Sequence, residues 1–179
     1  MIISHFYAKK QNIFETSKHI YNKNDKMLIL SKEIGFELSG ETTIEKICSM
    51  FIRVSIESPL GIITMDKKSI KNSAHHGLGK IKFLSFSILK EFFINSKTIQ
   101  PFVNQKEFNG KNYQIAIVAD YILFENNLYV LVAILTKNKK QKIRLYNHEI
   151  IPIDRIRNQE TTGETIKAAK KFIEKYPPN

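Results

Sequence analysis

Tryptophan is missing from this 179-residue chain, and cysteine is reduced to Cys48. One thiol cannot form an intrachain disulfide, and a redox pair or zinc cluster would need partners that the sequence does not offer. Cys48 falls at an apolar helical spacing and reads as a core side chain. Glycine (7) and proline (5) are sparse, which excludes collagen-like and linker-rich organisation. No apolar run reaches the roughly 18 residues that span a bilayer, so no membrane partner is expected. Met1 to Lys10 lacks a basic start, a long apolar run and a small-residue cleavage site. The expected location is therefore a cytoplasm, bacterial or phage-derived, with toxin-like delivery into another cell left open. Acid is also scarce: 17 Asp and Glu face 28 Lys and Arg, for a net charge of +11.

What is present fits a folded domain. The chain is 42% apolar and 25% charged, too rich in core-forming residues for wholesale disorder. The cationic surplus has two readings. It can mark a polyanion partner, or reflect a base composition that inflates Lys, Asn and Ile. Clustering favours the first. Residues 137–157 hold Lys137, Lys139, Lys140, Lys142, Arg144, Arg155 and Arg157 against Glu149 and Asp154, which is +5 of the +11 in 21 residues. This set is the candidate nucleic-acid-binding surface, with salt-dependent affinity for a phosphate backbone.

Periodicity divides the chain. Short elements are expected at Ile13–Tyr21 and Met27–Leu30, with a turn at Asn22–Asp25. Thr42-Thr43-Ile44-Glu45 has the form of a capping box. Ile44, Ile47, Cys48 and Phe51 then place an apolar stripe on a helix that Ser58-Pro59 should end. Gly61–Met65 reads as a strand. Asp66 can cap a helix to about His76, and a second helix is expected over Lys80–Asn95, with Pro101 closing the helical half. After an Asn109-Gly110 turn the period changes to two. Alternation over Tyr113–Leu123, a tight turn at Asn126-Asn127, the apolar run Leu128–Thr136, a basic turn at Lys137–Lys142 and Ile143–Ile153 predict a three-strand meander. Thr161-Thr162-Gly163-Glu164 should cap a last helix.

The expected architecture is α+β: N-terminal helices packed on an antiparallel three- to four-stranded sheet, with a C-terminal helix. The expected organisation is an N-terminal helical extension (1–57), an α+β core (58–157), and a C-terminal helix and tail (158–179).

Two constellations could carry chemistry. Strand alternation would put Arg144, Tyr146 and His148 on one face, as a phosphate clamp, a base contact and a proton carrier, or simply as a polar exposed face. On the helix after Asp66, Lys71 and His75 lie one turn apart, as do Asn72 and His76. A histidine beside a lysine can act as a general base next to a phosphate-stabilising cation, or just favour a helix C-terminus. Adjacent His75 and His76 diverge by about 100° and are a poor chelating pair. No metal signature, phosphate loop or serine elbow occurs, so no metal or cofactor is expected.

Gly61-Ile62-Ile63-Thr64-Met65-Asp66-Lys67-Lys68-Ser69-Ile70-Lys71, His75-His76-Gly77 and Leu145-Tyr146-Asn147-His148-Glu149-Ile150 together resemble phage- and prophage-associated domains. These are fused to Mu-type head-morphogenesis and large polyvalent proteins and belong with the barnase–EndoU–colicin–RelE-like ribonucleases. The resemblance covers about residues 58–153. It implies a metal-independent, toxin-type endoribonuclease in which the ribose 2′-OH attacks the adjacent phosphorus. One imidazole would take the proton and another protonate the leaving oxygen. Members with Ser-Ile/Val-Lys-His carry histidine where this chain has Asn72, so His75 or His76 would substitute, with His148 as the second carrier. Lys71 and Arg144 would hold phosphate, and Tyr146 the base. RNA and an inhibitor or immunity protein are the implied partners. The competing expectation is a non-catalytic basic domain that binds nucleic acid or a phage-associated partner.

Overall fold

A computed structural model describes residues 28–30, 40–51, 54–77, 79–104, 113–158 and 163–178. The expectations at 13–25, 109–110 and 161–162 lie outside these. The most regular part is the predicted meander. β5 (Gln114–Phe124) and β6 (Asn127–Lys137) pair antiparallel without a break, from Gln114↔Lys137 to Phe124↔Asn127. Their turn is Glu125-Asn126, one residue earlier than expected, and both residues hold positive φ (50° and 60°). β7 (Ile143–Pro152) pairs antiparallel with the other edge of β6. β6 is thus central, as its two-faced apolar run requires.

The rest of the architecture differs from expectation. β2 (Val54–Ser58) and β3 (Gly61–Met65) form a hairpin, and β3 joins β7 in parallel through Ile63↔Ile143 and Thr64↔Arg144. On the far side, β5 receives β4 (Lys97–Asn104) antiparallel and β1 (Leu28–Ile29) parallel. The sheet has seven strands in mixed orientation, ordered β1-β5-β6-β7-β3-β2, with β4 also on β5. The expected small antiparallel sheet under N-terminal helices is therefore incorrect. Apart from α1 (Gly40–Met50), the helices follow β1–β3: α2 (Lys67–His75), α3 (Lys80–Ser85), α4 (Leu89–Asn95), α5 (Ile153–Asn158) and α6 (Glu164–Lys175).

Each miss has a local cause. Ser58-Pro59 ends a strand as readily as a helix, so Val54–Ser58 was absorbed into the helix before it. The hairpin closes because Gly61 adopts φ 113° and has no Cβ to press on Ile143 Cδ1, 3.1 Å from where one would sit. Pro101 does not close a helical half. It sits in β4, an edge strand whose pairing with β5 is already irregular between Thr98 and Val103, where a missing N–H is tolerated. The helix expected over 80–95 is interrupted by a 3₁₀ turn at Phe86–Ile88. α1 already begins at Gly40, so Thr42 lies within its first turn rather than before it.

The sheet is covered on both faces. Ile47, Phe51, Ile70, Phe83, Phe86 and Phe92 pack with Ala116, Val118, Leu131, Ala133 and Leu145 on one. Ile153, Ile156, Ala168, Ala169 and Phe172 pack with Ile117, Val130, Val132 and Ile134 on the other. Leu28, Phe51 and Ile56 share the first core, so residues before 58 contribute to the same packed unit. Phe172→Ala should cost about 3–5 kcal/mol in urea unfolding, whereas Ile62→Ala, at a side chain 60% exposed, should change stability by under about 0.5 kcal/mol. Equal effects at the two sites would deny the second core.

Candidate functional site

β7 controls the site because its register slips. Leu145 pairs with Leu135, but Ile134 pairs with Asn147, so Tyr146 is an extra residue in a β-bulge. The bulge inverts the alternation beyond it. Arg144, Tyr146 and His148 do not share one face. Tyr146 is pushed out and is 40% exposed, while His148 stands opposite Ala133 and is fully buried.

His148 is bonded on every side. Ser73 Oγ lies 2.8 Å from Nδ1 and also accepts from the His148 backbone N–H at 3.1 Å. Ser85 Oγ lies 2.9 Å from Nε2 and donates its own proton to the Lys82 carbonyl at 2.6 Å. Ser85 must then accept from Nε2–H, which leaves Nδ1 to accept from the Ser73 hydroxyl. One neutral tautomer satisfies all four bonds. Phe86 closes the ring off at 4.6 Å, edge to face. Burial and the nearby Lys82 ammonium push the imidazole down to about 3.

The polar chain continues through the interior. Lys82 Nζ donates to the Ser73 carbonyl at 2.7 Å and to Asn147 Oδ1 at 3.0 Å. Asn147 Nδ2 donates to Glu149 at 3.2 Å, and Thr165 Oγ1 to the same carboxylate at 2.6 Å. Burial pulls Lys82 down to about 8, against the opposing pull of Glu149. Ser73, Lys82 and Ser85 lie outside the site residues expected from the sequence. A signal existed: Ser85 lies on the stripe between Ile81 and Leu89, and Lys82 on the stripe with Phe86 and Leu89, each one helical turn apart.

The surface is organised by Asp66. Its Oδ1 accepts from the Ser69 N–H at 2.9 Å as the expected helix cap, and its Oδ2 accepts from Arg144 Nε at 3.0 Å. Partial burial opposes ionisation, but the Ser69 bonds and the Arg144 guanidinium outweigh it and hold the carboxyl below its usual range. Arg144 is thus anchored at the start of α2. Lys67, Lys71 and His75 line a groove of about 820 Å³ against Ile44, Cys48 and Phe51 of α1 and the turn after it. Cys48 is half-buried rather than sealed in the core, and burial pushes its thiol up. His76 diverges from His75, as helical geometry requires, and meets Tyr146 with ring centroids 5.0 Å apart.

The basic set divides in two. Lys139, Lys140 and Lys142 are exposed in the β6–β7 turn, and Lys137 lies 4.4 Å over the Phe102 ring. Arg155 and Arg157 follow the opposite end of β7, about 33 Å away along a ten-residue strand. What the fold adds is α2. The parallel β3–β7 pairing joins the segments Asp66–His76 and Lys137–Arg144 at Asp66 and Arg144, from where α2 runs along β7 toward His148 and the lysine turn lies at the other end of the pairing. Those segments hold eight cations (Lys67, Lys68, Lys71, Lys137, Lys139, Lys140, Lys142, Arg144) and one acid (Asp66), so 8 − 1 = +7 of the +11. Among the described residues, no group of three or more His, Cys, Asp or Glu is placed to hold a metal ion, and no helix is long and apolar enough to cross a membrane.

Comparison of the chain with family models, curated proteins and solved structures finds no match.

The buried groups make stability pH-dependent. Unfolded chains protonate His148 near 6.5, but the folded chain only near 3, so this contribution is complete above pH 6.5 and fades as pH falls. Over the full window it is on the order of 5 kcal/mol. Asp120 acts oppositely. Burial raises its carboxyl from 3.8 to about 6, so in that window the folded chain holds the extra proton and acidification stabilises it. Asp120→Asn should therefore steepen the loss of unfolding free energy between about pH 6 and 4 in denaturant titrations. Identical slopes for the two proteins would show that Asp120 titrates normally.

Proposed function

We propose that this chain is a non-catalytic nucleic-acid-binding domain that grips a phosphate backbone along the β3–β7 seam. The reading is carried by one observation: parallel pairing of β3 with β7 joins, at Asp66 and Arg144, two segments some 70 residues apart that together carry +7. Within the two segments the one acid is Asp66, occupied by Arg144 and the start of α2, and Glu45 of α1 lines the groove beside Lys67 and Lys71. Lys67, Lys68, Lys71, Lys139, Lys140 and Lys142 make no ion pair among the described residues. Such a row releases counterions when it meets phosphates, which supplies affinity without sequence preference.

Binding is favoured over RNA cleavage because His148 fits no proton-carrying role. Its two ring nitrogens are consumed by Ser73 and Ser85, and its basicity is suppressed. A two-imidazole mechanism with His75 or His76 would lack its second member, since those two rings point apart. His148 instead ties α2 and α3 to β7 and so holds the cationic helix in place.

The test is binding to nucleic acid across a salt series, with RNA integrity followed in EDTA. Five or six neutralised phosphates predict a slope of log affinity against log salt of about −5. The triple change K139E/K140E/K142E should weaken binding at least tenfold and flatten the slope by about 2–3. Unchanged affinity in that variant, or steady RNA scission by the native chain, would overturn the reading.

A further inference from the structure

The β7 bulge leaves a feature that phosphate binding alone does not use. Among the described residues, the large apolar side chains that stand exposed are Ile62, Ile94, Val103 and Tyr146, and Tyr146 is the aromatic one. It is exposed because of the inserted residue: regular alternation after Leu145 could not turn Tyr146 outward and also bring His148 inward. The His76 ring meets it from the end of α2 at 5.0 Å and 61°, a tilted contact rather than a parallel stack, so neither ring is sandwiched by the other. Two residues before Tyr146, Arg144 is fixed by Asp66. Lys68, Asn72 and His76 follow one another at successive turns of α2, Lys68 lying about 12 Å from His76 along the axis. An exposed pair of aromatic rings therefore lies two residues from a clamped arginine, on the stripe of α2 that carries Lys68.

We propose that Tyr146 and His76 form a base-stacking platform, and that the nucleic acid held along the seam is single-stranded. This rests on the polyanion-binding reading above. A duplex hides its base faces in its own stack and offers only phosphates and groove edges. An unpaired strand offers a π-face at every nucleotide, and a ring beside a cationic track takes it regardless of base identity. The cations follow the backbone, and Tyr146 receives a base turned away from it.

The experiment compares mixed-sequence single-stranded RNA and DNA, a duplex of equal length, and inorganic polyphosphate, a polyanion without bases, at one salt concentration near about 150 mM. Both single strands should bind about tenfold tighter than the duplex or the polyphosphate. Tyr146→Leu should lose about that factor on single strands and nothing on polyphosphate, while Tyr146→Phe keeps the affinity. K139E/K140E/K142E should weaken all four probes. Because Tyr146 is exposed, the melting temperature of Tyr146→Leu should match the native chain, which separates lost stacking from lost folding. Polyphosphate binding with no advantage for single strands, or a Tyr146→Leu loss shared equally by polyphosphate, would overturn the platform and leave the polyanion reading standing. Failure of every probe to bind would remove both.

Discussion

A single inserted residue in β7 divides the molecule's polar chemistry between inside and outside. Up to Leu145 the strand alternates in step with β6. At Tyr146 the step is lost, and from Asn147 the two faces have exchanged places. His148 is thereby delivered to Ser73 and Ser85, Asn147 to Lys82, and Tyr146 to the surface beside His76. Without the bulge, Tyr146 and His148 would both stand on the face opposite Leu145, away from Phe86, Ser73 and Ser85.

The buried network bears on rigidity more than on net stability. Burying a histidine and a lysine costs solvation, and the bonds they make recover that cost only if all are present. Here the imidazole satisfies both nitrogens, and the ammonium places two of its three N–H donors on a carbonyl and an amide oxygen. Such a network admits one arrangement. It fixes α2 and α3 against the open edge of β7, beyond the point where β3 stops pairing. The cations of α2 thus stand on a support that apolar packing alone would let slide.

Much of this was legible from the residues. β5, β6 and β7 announce themselves through alternation and turn composition, and the Asp66 cap through its spacing to Ser69. The strands that complete the sheet do not. β2 is five residues long and followed by proline, β1 is two residues long, and β4 contains Pro101, so each lacks the period that marks a strand. Parallel pairing of β3 with β7 leaves no local trace, because its partners are far apart in the chain. The bulge was invisible for a different reason: Leu-Tyr-Asn-His satisfies strict alternation equally well. The Arg-Tyr-His face inferred from period two was therefore a sound reading of the wrong register. The charge cluster expected over 137–157 divides, with Arg155 and Arg157 beyond the far end of β7, and α2's share requires the tertiary pairing.

The β3–β7 contact also has a temporal meaning. Ile63 and Ile143 meet across 80 residues of chain, so a long loop must close before their pairing can repay its entropy. While the polypeptide is emerging during synthesis, the lysines of 67–71 exist before their neighbours of 137–144 have been made. The Lys137–Arg144 cluster is local in sequence, but its junction with the lysines of α2 arises only when the last sheet strand docks.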